Sequence, residues 1–331
     1  MKYLSFFFLL FQISSLYAQT NAEKSAFKEY YPIAERSFIS GGFGNNEYEQ
    51  IIFDAKPSVY YSLYNDIRES LTAEEITPGY AVYVAFLPQI RMFSENSKPI
   101  KTPSYKVLFG WQPIIKTSED NFLTFAIETG HYSNGQNGSA FSEDFEDESE
   151  EGQAVYETIT DATDLSAILN REDGNFSTNL TRLSFNYRLN KFTETNAPKR
   201  IHSLTAAYQL YHNKFLGVID VGGYNAKDIA LYGRHRLEFG YEFTGYYKKM
   251  RYTAGQEVFL QLGAHPSVTP YRSETKFILN PWNTDLGFFA QFDFGFDDYN
   301  YRFVDSYPRL SFGVSWDWFT PFIIKQTSTN K

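Results

Sequence analysis

The chain has no cysteine. Disulfides therefore cannot staple it, and both the small bridged scaffolds of secreted proteins and a thiol nucleophile are excluded. Positive charge is also short: 39 acidic against 30 basic residues leave a formal net charge of −9, which argues against a nucleic-acid partner. After residue 18 there is no long unbroken apolar run, so no transmembrane helix is expected. One short run, Leu4 to Ile13, follows Met1-Lys2 and leads into Leu16-Tyr17-Ala18-Gln19. It is too short to span a membrane comfortably and no basic flank follows it. The pattern reads as a secretory signal peptide, residues 1–18, cleaved after Ala18.

What the chain has in quantity is aromatic side chains. They make up 19% of its 331 residues, with 32 phenylalanines and 26 tyrosines, yet the mean hydropathy is negative. In a soluble domain so much aromatic area would accompany a greasy core. An outer-membrane β-barrel reconciles the two, because lipid-facing and girdle aromatics alternate with polar lumen residues.

Segment by segment, the alternation is visible. Residues two apart in a strand share a face. Between 178 and 189 the odd positions include Leu183, Phe185, Tyr187 and Leu189, and the even ones Arg182, Ser184, Asn186 and Arg188. Leu237, Phe239, Tyr241 and Phe243 oppose Arg236, Glu238 and Glu242; Leu310, Phe312, Val314 and Trp316 oppose Ser311, Gly313 and Ser315. The charged face would be costly in a dry core but suits a polar lumen in which Arg and Glu pair across strands. Such segments number about twelve, an even count as bacterial single-chain barrels require. The expected fold is an all-β, 12-stranded antiparallel transmembrane β-barrel over residues 56–324. A periplasmic N-terminal segment over 19–55 would precede it and a polar tail over 325–331 would follow. A soluble β-sandwich or jelly roll also alternates and is the competing fold.

The alternation breaks between Gln136 and Asn175. This stretch holds the acidic run Ser142-Glu-Asp-Phe-Glu-Asp-Glu-Ser-Glu-Glu151. Unbroken like charge predicts a solvated, disordered surface loop; a divalent-cation trap is the functional alternative. Long loops of such barrels face outward, which puts both ends of this loop at the extracellular rim.

At those ends stand three polar side chains on otherwise apolar faces: His131, Ser133 and Asn179. Their strands flank one loop, so they are expected neighbours in an antiparallel hairpin. A serine hydroxyl becomes a useful nucleophile when an imidazole can take its proton, and a third group must hold that imidazole in the right tautomer. Asparagine can do this without placing a carboxylate charge at a lipid-facing position. The Asn134-Gly135 turn offers backbone N–H groups, with those of Ser133 and Gly135 the candidate oxyanion donors. A polar rim with no catalytic role remains the plain alternative.

The run His131-Tyr132-Ser133-Asn134-Gly135, followed by Ser177-Thr178-Asn179-Leu180, resembles the outer membrane phospholipase A family, over about Tyr80 to Tyr187. The resemblance implies a barrel in the bacterial outer membrane that hydrolyses phospholipid acyl esters with calcium, as a dimer, with its site toward the cell exterior. On this reading His131 is the base, Ser133 the nucleophile and Asn179 the orienting residue. The family's calcium-site positions fall on Gln136, near Asn175 and, for the serine lent by a partner subunit, near Ser97. Carboxylates of the long loop could supply further oxygen donors. Two other functions compete: a lipid A deacylase, which needs a carboxylate as third group, and a non-catalytic pore or adhesin.

Overall fold

A computed structural model describes residues 32–44, 48–72, 77–94, 100–118, 120–192, 198–282 and 284–317. The strands are β1 (Ser37–Gly44), β2 (Ile51–Lys56), β3 (Val59–Asn65), β4 (Gly79–Phe93), β5 (Ser104–Lys116), β6 (Asn121–Ser133) and β7 (Ser177–Phe192). They continue as β8 (Pro198–His212), β9 (Gly233–Tyr247), β10 (Met250–Ala264), β11 (Tyr271–Pro281), β12 (Leu286–Gly295) and β13 (Arg309–Trp316). Each pairs antiparallel with its neighbour, and β1 closes the cylinder by pairing with both β2 and β13.

The two pieces β2 and β3 are one strand in this cylinder. Ala55 faces Ile90 of β4, and four residues later Val59 faces Phe86, so the register is unbroken across the gap. The interruption falls at Pro57, which has no N–H to give to a ladder. The barrel thus has twelve strands, as the alternation predicts. It begins at Ser37, inside the stretch 19–55 read as an N-terminal segment. β1 escapes that reading because Gly41, Gly42, Gly44 and the serines leave little apolar signal. The signal-peptide segment and the tail from 325 lie outside the described residues.

Closure sorts side chains into two sets. Phe185, Phe239, Phe277, Phe288 and Phe312 stand outward and exposed, a band that belongs in hydrocarbon rather than water. The opposite parity fills the lumen with ion pairs. Arg91 of β4 bonds Asp54 at 3.0 Å and Asp297 at 2.6 Å, and Arg309 of β13 reaches the same Asp54 at 2.9 Å. Arg182 pairs with Glu238 at 2.6 Å.

At one end stand the long loops 134–176, 213–232 and 296–308; at the other the turns are short apart from the β3–β4 connection, which carries the helix Ile67–Thr72. At the long-loop end the chain folds back into the mouth. The short 3-10 helix Asn300–Val304 is buried throughout, and Arg236 lies over the Phe303 ring at 3.7 Å. Phe176 packs edge-on against Tyr132, Tyr224, Tyr232 and Phe303. The acidic loop joins this cap, which corrects the expectation of disorder. Phe141, Tyr156, Leu165 and Leu169 are buried, and a helix, Glu150–Thr158, starts where Ser149 accepts from Gly152 N–H at 2.9 Å. Its acids remain outside: Glu143, Asp144, Glu146, Glu148 and Glu150 are exposed. Widely spaced apolar anchors hold the loop, and the run of charge between them masks the spacing.

Replacing Arg91 with alanine leaves Asp297 without its guanidinium and weakens the hold on Asp54. Removing one partner of a buried pair costs about 3–5 kcal/mol. The variant should unfold at clearly lower denaturant in a detergent titration followed by gel mobility; an unchanged midpoint contradicts this role for the network.

Candidate active site

Strand register brings the first two candidate residues together. β6 and β7 pair so that His131 faces Asn179 directly and Ser133 faces Ser177. His131, Ser133 and Asn179 all have outward parity, as the alternation predicts, while Glu128, Gly130 and Tyr132 of β6 point into the lumen and are buried. His131 Nδ1 and Asn179 Oδ1 lie 3.1 Å apart.

The environment of Asn179 decides which way its amide points. Asn179 is fully buried although it sits on the outer wall, because the segment between β8 and β9 covers it. Its Nδ2 donates to the carbonyl oxygen of Asn213 and, at 2.7 Å, to that of Gly222. Carbonyl oxygens only accept, so the NH₂ must face them and Oδ1 must face the imidazole. An acceptor opposite Nδ1 requires Nδ1 to carry the proton. Nε2 is then left with a free lone pair, which is what a general base needs.

Two glycines permit this cover. A Cβ on Gly223 would fall 1.9 Å from Asn213 O and 2.8 Å from Asn179 Nδ2. Gly222 has φ +73°, and a Cβ there would meet Ser177 Oγ at 2.7 Å. Sequence reading assigned nothing to Asn213, Gly222 or Gly223; the adjacent glycines in Val221-Gly-Gly-Tyr224 were the available signal.

His131 and Ser133 open onto a cavity of about 440 Å³ at the rim. Ser133 follows His131 by two residues on the same face, but among the described residues its hydroxyl makes no hydrogen bond to the imidazole. Catalytic hydrogen bonds are often loose before substrate binds. Gly135, at φ +68°, also lines the cavity, and its N–H has no acceptor among the described residues. The neighbouring donors are occupied: Asn134 N–H bonds Phe176 O at 3.0 Å, and Gln136 N–H bonds Asn134 Oδ1 at 3.2 Å. Asn134 is thus a clasp rather than an oxyanion donor. Its Oδ1 also accepts from Phe176 N–H at 2.9 Å, and its Nδ2 donates to Gly174 O at 2.7 Å, which ties the two ends of the acidic loop together.

Of the three calcium-site candidates, Gln136 and Asn175 line this cavity, and Ser97 lies outside the described residues. Asp147, from the acidic run, lines it as well. One of its oxygens accepts from Tyr156 OH at 3.0 Å and the other from Asn175 Nδ2 at 3.0 Å. Amide and carboxylate oxygens are the hard donors calcium takes, so this set suits the ion in kind. Among the described residues, however, no three His, Asp or Glu side chains converge as a ready-made metal cluster. Asp228 completes the acidic side of the cavity and accepts from Asn225 N–H at 3.0 Å. Burial, reinforced by nearby Asp147, pushes its carboxyl up to about 7.

Most of the chain is similar in fold to two solved outer-membrane proteins. One is the crystal structure of the Salmonella typhi outer membrane phospholipase dimer with bound calcium. It matches with a TM-score of 0.50 at 9% identity, over 86% of this chain and 93% of that one. The other is outer membrane phospholipase A from Escherichia coli, with a TM-score of 0.51 at 9% identity, over 88% of this chain and 98% of that one. No protein-family model and no curated protein matches the chain. The shared feature is the closed antiparallel barrel of the outer membrane.

Asp228 binds its proton more tightly in the folded chain than in the unfolded one. It therefore favours the fold below the ordinary carboxylate range, and that contribution is lost as pH rises through about 7. Asp228→Asn removes the buried charge and keeps an oxygen for the Asn225 N–H. It should raise the melting temperature at pH 8, by about 2 °C for each kcal/mol regained, and leave it unchanged at about pH 3, below the unfolded carboxyl's range. Equal shifts at both pH values contradict the assignment.

Proposed function

We propose that the chain is an outer-membrane esterase that hydrolyses the acyl esters of membrane phospholipids, with Ser133 as nucleophile, His131 as base and Asn179 as orienting group. The observation that carries the reading is the Asn179 amide. It is pinned on one side by two backbone carbonyls and presents its oxygen to His131 Nδ1 on the other.

In the proposed sequence the Ser133 hydroxyl attacks the ester carbonyl and its proton moves to His131 Nε2. The imidazolium that forms is held by Asn179 Oδ1, and the Gly135 N–H faces the oxyanion. Collapse releases the lysophospholipid, which takes the proton back from His131 and leaves Ser133 acylated. Water, activated by the same imidazole, then frees the fatty acid. The ester enters sideways from the bilayer, since all three side chains stand on the outer wall. The rim at the long-loop end faces the cell exterior, because short turns face the periplasm in barrels of this kind.

Calcium and a homodimer belong to the same proposal. Gln136, Asn175 and Asp147 would hold the ion, which when bound supplies positive charge beside the developing oxyanion. The partner's contribution would come near Ser97.

Two observations weigh against the competing functions. A lipid A deacylase needs a carboxylate on the imidazole, but Glu128 faces the lumen, bonded to Tyr83 OH at 2.9 Å and 3.6 Å from Arg182. A pore needs a clear mouth, but Tyr299, Tyr301, Arg302 and Phe303 are buried in it.

Purified protein with mixed micelles of phospholipid, detergent and calcium should release fatty acid. Ser133→Ala should abolish release, and His131→Ala should lower it about 10²–10⁴-fold. Asn179→Ala should cost less than His131→Ala, since it disturbs the tautomer rather than removing the base. Asp147→Asn should raise the calcium needed for half-maximal release. Full activity in the Ser133→Ala protein excludes the mechanism.

A further inference from the structure

The segment between β8 and β9 covers one side of the candidate site. Its base is fixed to the wall at three points. The carbonyls of Asn213 and Gly222 accept from Asn179 Nδ2, and His212 Nδ1 lies 3.0 Å from Lys214 O. Its tip closes as a tight hairpin, with Phe215 N–H on Ile219 O at 2.8 Å and Ile219 N–H on Phe215 O at 3.0 Å. Leu216 and Gly217 take up the turn at φ 51° and 75°.

The tip is unburied and, apart from the exposed Asp220 that follows it, apolar. Leu216 is 62% exposed, Val218 75%, Ile219 48% and Val221 47%. Contiguous aliphatic side chains on a loop mark a contact surface rather than a water-facing one. The position of the base shows on which side of the barrel this surface lies. Asn179, Ser177 and His131 have outward parity, and the base packs on all three. The hairpin therefore hangs over the outside of the wall and not into the mouth. Farther along the same strands, past Thr181, Tyr208, His212 and His235, stand Phe185, Leu204 and Phe239, outward and exposed. The tip thus lies on the same outward side of the wall as the hydrocarbon-facing band, with the bonded pairs Thr181–His212 and Tyr208–His235 between them.

We propose that this hairpin tip lies in the bilayer's hydrocarbon, in the leaflet on the long-loop side, where it places lipid acyl chains beside the cavity that contains Ser133. The occupant is lipid rather than protein because the tip hangs on the outward side of the wall, the side on which Phe185, Leu204 and Phe239 are exposed. Insertion also holds the base, and with it the two carbonyls that orient the Asn179 amide. The depth of the tip in the membrane does not depend on the esterase reading. Its effect on hydrolysis rests on that reading.

The absence of cysteine makes the test direct, since a single introduced thiol can be labelled alone. Nitroxide-labelled Val218→Cys and Leu216→Cys proteins in phospholipid vesicles should collide with dissolved oxygen and be shielded from a water-soluble nickel chelate. Phe239→Cys is the lipid standard and Asp161→Cys, on an exposed turn of the cap, the water standard. Two further results overturn the proposal: labels at 216 and 218 that behave like the one at 161, or labels shielded from both reagents until the protein is diluted to monomers, which would place a second copy of the chain there. The double variant Leu216→Ser/Val218→Ser, confirmed folded by gel mobility, should cleave vesicle phospholipid roughly tenfold more slowly. Lipid-exposed labels on a protein with no esterase activity sink the esterase reading alone. Water-exposed labels on an active protein sink this proposal alone.

Discussion

A closed cylinder gives each strand residue two directions only, toward the lumen or toward the bilayer. That constraint organises the whole molecule. It collects Arg91, Asp54, Arg309 and Asp297 inside, where they compensate one another, and it exposes Phe185, Phe239 and Phe312 outside. It also leaves His131, Ser133 and Asn179 on the outer wall, where a polar side chain must find protein cover or meet hydrocarbon. The cover is local: the Gly222-Gly223 pair lets backbone carbonyls descend onto Asn179 from the side. An amide that would be unsatisfied in a membrane becomes fully bonded, and the same bonds fix the imidazole tautomer.

The cap contributes a second element of the site. Asn134 clasps the two ends of the acidic loop, and the loop in turn brings Asp147 against Asn175 and Tyr156 at the edge of the cavity. The ladder-borne part of the site is rigid because strands carry it. The acidic part is built on loops and holds Asp228, whose carboxyl burial pushes up to about 7. Under the proposed function, strand-borne Ser133 and His131 would stand beside a loop-borne acidic rim that a bound cation could tighten.

Much of this was legible in the sequence, for a simple reason. Period-two alternation is a local signal, so Leu123, Ile127 and His131 could be assigned to one face without knowing any partner strand. The pairing of His131 with Asn179 followed from two strands that flank one loop. Other features depend on contacts that no local pattern records. β1 was missed because serine and glycine fill its faces. The acidic loop was misread because exposed Glu143, Asp144 and Glu146 lie between Phe141 and Tyr156, whose burial depends on the distant Tyr232 and Lys227. The hairpin over Asn179 was missed because its role lies in backbone carbonyls, which carry no side-chain signature.

The central claim is that His131, oriented by Asn179, makes Ser133 a nucleophile. A serine-directed fluorophosphonate, followed by peptide mass mapping, tests it without assuming a substrate. The adduct should appear on Ser133 in the unchanged protein, should slow sharply in His131→Ala, and should be absent from Ser133→Ala. A folded barrel that takes no label, or takes it at another serine, contradicts the claim.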